Sequence, residues 1–283
     1  MTPASAQESI WIKTAFLCIL SAMTVPADYT VLYADDAIVV LNKKSGLLVA
    51  ADRYDPLAPR LDLCAEKEFG HLYAVHRIDK DTSGIVLYAR TAAAHRHISE
   101  QFEKRQIKKV YHCLVHGHPL WQHLTVDLTL QPDGDKRHRT VVSHRFGKPS
   151  VTDFYLMGTC GPFSWIEARP LTGRTHQIRA HLQAQGFSIV CDPLYSGNQR
   201  PVLLSDIKRK WNGDTAKERP LLSRLALHAY SLSFIHPVSY EPFSVNAPYP
   251  KDLEAVRRQL AKLFTVDPLS ATPRAESEHF LDT

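Results

Sequence analysis

Residues 76–84 read HRIDKDTSG and set one carboxylate, Asp79, between Arg77 and Lys80, with a second acid at Asp81 and a Thr-Ser-Gly turn behind it. Two arrangements suit this pattern. An aspartate before such a turn commonly hydrogen-bonds its own backbone. A carboxylate that must stay ionised in a substrate cleft also wants cations around it, because burial penalises the charged form and a close guanidinium favours it. Taken alone, Asp79 fits the first arrangement better. Two further segments shift the balance. KVY (109–111) puts Lys109 and Tyr111 at the start of a strand, and RPLTGRTHQIRAH (169–181) runs through a Thr-Gly turn into a helix with Arg174, His176, Arg179 and His181. At about 100° per residue, His176, Arg179 and Gln183 share one face while Ile178 and Leu182 share another. One side of this helix is then free to pack while the other offers cations to a cleft.

The elements that must position these groups are mostly strands. VLYADDAIVVLNKKSG (31–46) reads as two short β-branched strands around an Asp-Asp turn, followed by a loop that ends in prolines. A strand at 84–90 leads to a helix over 91–106, with Thr91 as N-cap and Ile98 and Phe102 four residues apart on its packing face. Another strand covers 108–117, a charged turn covers 131–140, and 150–171 forms a hairpin. The helix over 175–186 closes at Gly186. A late strand at 231–237 precedes an amphipathic helix at 251–264. Strands in hairpin-like runs predict an α+β fold, a mixed, mostly antiparallel central sheet with flanking helices and loops.

Composition narrows the function classes. In 283 residues, 44% are hydrophobic, enough for a sizeable core, and the net charge of +5 suits a polyanionic partner without requiring one. The five cysteines, Cys18, Cys64, Cys113, Cys160 and Cys191, form no CxxC, which points to reduced thiols in a cytoplasmic protein. HRH (95–97) and HGH (116–118) lack the i, i+4 spacing of a helical zinc site, so no metal is expected. No GxGxxG or GxxxxGK[ST] signals a nucleotide cofactor. The apolar stretch WIKTAFLCILSAM (11–23) is too short to span a bilayer and lacks a clean cleavage site, so no membrane partner is expected and Met23 is a candidate start.

Four segments, in order, resemble the RluA-type family of RNA pseudouridine synthases across roughly residues 30–240. HRIDKDTSG is similar to the family's HRLDxxTSG, KVY to KxY, RPLTGRTHQIRAHL to TGRxHQIRxH, and RLALHAYSLSFIHP (224–237) to LHAxxLxFxHP. The resemblance implies that Asp79 is the essential catalytic aspartate, that Arg179 pairs with it, and that Tyr111 stacks on the target base and assists proton loss from C5. It implies that Arg77 fills the gap left by a flipped nucleotide. Lys109, Arg174, His176, Arg105 and Lys108 would hold RNA, helped by Arg96, Lys104, Lys136, Arg137 and Arg139. Ile78 replaces the usual leucine, a volume-conserving change.

The expected substrate is structured ribosomal or transfer RNA, with no cofactor and a monomer as the default. Residues 1–27 are expected to be an extension outside the core, 28–265 a stand-alone catalytic domain with an insertion loop at 196–220, and 266–283 a polar tail. Two other functions compete. A non-catalytic RNA-binding or RNA-folding protein would not need Asp79, Tyr111 and Arg179 intact. A methyltransferase would show a glycine-rich cofactor loop.

Overall fold

The computed structural model describes residues 28–51, 57–197 and 200–270. Within them the β-branched runs seen in the sequence become the buried strands of one eleven-stranded sheet. The elements, in chain order, are β1 (Tyr29–Ala34), β2 (Ile38–Lys43), α1 (Leu61–Phe69), β3 (Tyr73–Ala74), β4 (Ser83–Ala89), α2 (Ala92–Glu103), β5 (Lys108–His116), β6 (His123–Gln131), β7 (Val141–Val142), β8 (Lys148–Cys160), β9 (Phe163–Pro170), α3 (Gln177–Ala184), α4 (Leu204–Ile207), β10 (Leu227–Ile235), β11 (Pro242–Asn246) and α5 (Lys251–Phe264). The main order is β1-β2-β4-β10-β5-β9-β8-β6-β7, with β11 on β10 and β3 on β4. Every pairing is antiparallel except β4 with β10, where Ser83 meets His228 and Gly84 meets Ala229. This is the mixed, mostly antiparallel α+β sheet that the strand pattern predicts.

Strand alternation explains the layering. On β2 and β4, Ile38, Val40, Ile85 and Leu87 join the core under α2, whereas Val39, Leu41, Val86 and Tyr88 join the core with α1. The two helices therefore cover opposite faces of that half of the sheet. A third and larger core surrounds β5, β8 and β9 and takes in residues of α3 and α5. Helix α2 begins where expected, with the Thr91 hydroxyl accepting from the Ala94 amide at 3.1 Å. Helix α5 buries Leu253, Val256 and Leu260, an i, i+3, i+7 stripe.

Several elements were not legible. α1, β6 and β11 were not anticipated. α1 is short, and β11 alternates only between half-buried and exposed residues, leaving no apolar run to read. The 196–220 segment is largely irregular but not peripheral, since Val202 and Ile207 are buried in the largest core. Val266 packs on that core and Asp267 pairs with Arg257, so the tail begins later than residue 266. The apolar stretch 11–23 lies outside the described residues. Among those described, no helix is long and apolar enough to cross a membrane.

Candidate active site

The Asp79 turn connects β3 to β4 and is held from behind by the end of β2. The Thr82 amide donates to the Asp79 carbonyl at 3.1 Å and closes the turn. The Gly46 amide donates to Lys80 O at 2.8 Å, and Ser45 Oγ donates to Asp81 O at 2.7 Å. Lys43, fully buried, spends its ammonium on the carbonyls of Lys44, Leu47 and Lys80 at 3.0, 2.8 and 2.9 Å. Burial pushes its pKa down to about 7 against the opposing charges of Asp79 and Asp81. Gly84 ends the turn at φ +115°, and a methyl group there would overlap the Ala229 carbonyl of β10. Only glycine allows this approach of the two parallel strands.

Opposite Asp79 stands Arg179, 2% exposed on α3. Its Nε and Nη2 donate to the two oxygens of buried Asp192, each at 2.8 Å, and Nη1 donates to Asp79 Oδ2 at 3.3 Å. The guanidinium also lies 5.0 Å from the centre of the Tyr195 ring, within cation–π range. Asp192 Oδ1 additionally accepts from the amides of Leu194 and Tyr195. Burial disfavours the guanidinium charge, but the Asp192 hydrogen bonds and the Asp79 and Asp192 charges outweigh it, and the pKa is raised. The site is thus a chain, Asp192–Arg179–Asp79. It is closed at one end, and at the other Asp79 is 21% exposed and lines a cleft of roughly 1240 Å³.

Tyr111, on β5, lines the same cleft, and its hydroxyl has no hydrogen-bond partner among the described residues. Burial and the Asp79 charge both raise its pKa, so it is a neutral phenol at physiological pH. Six cations line the cleft, Arg77, Lys80, Arg105, Lys109, Arg174 and Arg179, against the acids Asp79, Glu103 and Asp133. Lys109 donates to Thr172 O at 3.2 Å, and burial together with Arg105 lowers its pKa to about 8. Among the described residues no group of acids, histidines and cysteines is arranged to hold a metal ion.

Residues 37–184 match the family described as RNA pseudouridylate synthase. The chain belongs to that family, in its RluA-type branch. It is 34% identical over 235 residues to the ribosomal large subunit pseudouridine synthase D of Neisseria meningitidis serogroup B, covering 81% of this chain and 60% of that relative's length. It is 32% identical over 219 residues to the dual-specificity RNA pseudouridine synthase RluA of Escherichia coli K12, covering 77% of this chain and 92% of that one. The human RNA pseudouridylate synthase domain containing 4 shares the fold, with TM-score 0.61 and 23% identity over 81% of this chain and 92% of that one.

The cleft brings together Arg77, Asp79, Arg105, Lys109, Tyr111, Arg174, His176 and Arg179. Arg77 is exposed with no partner among the described residues, and Arg174 leans on the Pro149 carbonyl at 3.3 Å. Lys108 is exposed but does not line the cleft, nor do Arg96 and Lys104, the latter paired with Glu100. Arg139 is tied to Asp135 and Arg137 to Pro193 O, while their neighbour His138 reaches the cleft.

The helical-face reading of 175–186 needs correction. The helix starts at Gln177, and His176 precedes it in a left-handed conformation, φ 51°. Arg179 lines the cleft, as that reading has it, but it is only 2% exposed, held between two carboxylates that compensate its burial. His181 is a fully buried core histidine bonded to Thr152, with its pKa lowered to about 4 by burial. Sequence reasoning missed Lys43, Asp192 and Tyr195. A lysine closing the apolar strand IVVLNK and an aspartate following buried Val190 and Cys191 were the available signals.

Proposed function

We propose that this chain is an RNA pseudouridine synthase that isomerises particular uridines in structured RNA, with ribosomal RNA the first candidate and transfer RNA the second. The observation that carries the reading is the Asp79 carboxylate, backed by a buried arginine and opening on a cation-lined cleft beside Tyr111. The reaction breaks the N1–C1′ bond, turns the base, forms C5–C1′ and transfers the C5 proton. Product and substrate hold the same atoms, so no redox equivalent enters.

As C1′ becomes electron-poor, a carboxylate beside the sugar stabilises it, the use glycosidases make of theirs. Asp79 fills that role, and Arg179 keeps it ionised and aimed. Tyr111 faces the base and assists proton loss from C5. A base in a helix or stacked loop cannot reach Asp79, so it is flipped out, and Arg77 occupies the vacated stack. Arg105, Lys109 and Arg174 carry the sequence-independent attraction for phosphates. Residues 28–265 act as the catalytic unit, as one chain, in the cytoplasm.

Tritium release tests this. RNA labelled at uridine C5, from cells lacking the protein, is incubated with the purified chain and with Asp79→Asn. Release by the parent and none by the variant is expected. Tight RNA binding without release from any RNA would instead favour a non-catalytic RNA-binding protein.

A further inference from the structure

His76 stands in the cleft wall beside Arg77, and its ring has two different faces to the molecule. On one side Nε2 accepts the backbone N–H of Leu87 at 2.9 Å. A ring nitrogen that accepts carries no proton, so in the neutral imidazole the proton is on Nδ1. The ring stays neutral, since burial and nearby Lys109 lower its pKa to about 3. It lies against Phe102 with centroids 5.0 Å apart and planes 24° from parallel, which fixes its orientation. Nδ1 has no partner among the described residues, and it is not among their enclosed polar atoms; His76 lines the cleft. The result is a rigid, uncharged N–H donor without an acceptor, in a cleft lined by six cations, Arg77, Arg105 and Lys109 among them, against the acids Asp79, Glu103 and Asp133.

We propose that His76 is an RNA-contacting residue whose Nδ1–H, oriented by the Leu87 amide, donates to a phosphodiester oxygen of the substrate strand. The cations around it favour a phosphate over a neutral base edge, and a neutral donor adds direction where more charge would only add repulsion. This rests on the reading of the cleft as an RNA site.

The two amide isosteres separate the ring's two roles. His76→Gln can still accept from Leu87 but offers no donor at the Nδ1 position, whereas His76→Asn offers that donor and gives up the Leu87 contact. His76→Gln is expected to keep the parent's thermal midpoint and bind the C5-labelled RNA about tenfold more weakly, a change of ~1.4 kcal/mol. Its tritium release is expected to fall at limiting RNA and recover at saturating RNA. His76→Asn is expected to melt earlier yet bind more tightly than His76→Gln. The dependence of log K on log salt should be unchanged in His76→Gln, whereas Lys109→Gln lowers its slope by about 0.7–0.9, one counterion's worth.

Parent-like binding by His76→Gln, or a reduced salt slope, overturns the proposal. Should that variant not fold, nitrogen-15 spectra of the parent's histidines still decide. A ring protonated on Nδ1 whose signal moves when RNA is added supports the contact, and an Nε2-protonated ring overturns it. Absence of tritium release by the parent would count against the enzymatic reading alone, because the binding and spectroscopic arms need only RNA.

Discussion

Arg179 and Arg224 are built alike and end differently. Each gives Nε and Nη2 to one carboxylate, Arg179 to Asp192 at 2.8 and 2.8 Å and Arg224 to Asp252 at 2.7 and 2.8 Å. Each has Nη1 to spare. Arg179 spends it on Asp79, which opens on the cleft, whereas Arg224 spends it on Ser83 Oγ at 3.2 Å and Leu225 O at 3.1 Å. Ser83 in turn lies 3.0 Å from His228 Nδ1, and His228 Nε2 donates to Ala247 O. On residue types alone, a hydroxyl on a histidine near a charged pair looks like a nucleophile with its base. Both residues are fully buried, and burial lowers the His228 pKa to about 3. What separates a reactive chain of polar groups from a structural one is whether its last acceptor meets a cleft. The Ser83 network stitches β4 to β10, and the Arg179 chain presents a carboxylate.

This contrast can be broken at four points. The largest effect is expected from Asp79→Asn, which should lower tritium release by roughly 10³-fold or more, the scale on which members of a catalytic unit act, with RNA binding retained. A variant with parent-like rates would make the Arg179 chain as structural as the Arg224 one. Next, Asp192→Asn should cost about 3 kcal/mol in denaturant unfolding, because it strips the main partner from a buried guanidinium. It should also slow the reaction, since Asp79 then faces a misplaced arginine.

Tyr111→Phe sharpens the comparison from the cleft side. Its hydroxyl is bound to nothing among the described residues, so unfolding should be nearly unchanged while release falls by about 10²-fold, the range of a general acid–base contribution. The smallest effect belongs to Asp252→Asn. Its pair is more exposed, so about 1 kcal/mol of stability is at stake, and release per folded molecule should equal the parent's. Burial acts to raise the Asp252 pKa, but the Arg224 hydrogen bonds and charge outweigh it, and the folded value lies below the ordinary 3.8. A depressed carboxylate contributes stability that is complete above the unfolded pKa and is lost as pH falls through the folded one. Thermal midpoints of the parent and variant should therefore converge as pH drops below about 4.

Much of the site was open to a reader of the chain. HRIDKDTSG and HQIR carry Asp79 and Arg179 in short motifs, and the β-branched runs that hold them announce themselves by period. Helical periodicity put Arg179 on the cleft side of α3, where it stands, but periodicity describes which residues share a side, not how deeply that side is buried. A stripe with two cations normally faces solvent, and here Asp192 and Asp79 reverse that preference. Lys43 and Asp192 escaped notice because each merely closes an apolar run, and the partners that matter, Lys80 O for Lys43 and Arg179 for Asp192, lie on other chain segments.

The sequence by itself determined most of the strands and the longer helices, the family motifs and the residue types of the chemistry, because propensity, turns and motifs act over a few neighbouring residues. Only the tertiary structure decided that Arg179 is held inside between two carboxylates. It also decided that Lys43 clamps the Asp79 turn, and that the Ser83–His228 pair is sealed while Asp79 is open. Those outcomes depend on which distant segments share a dehydrated space, where an unpaired charge is costly and a paired one is fixed in place.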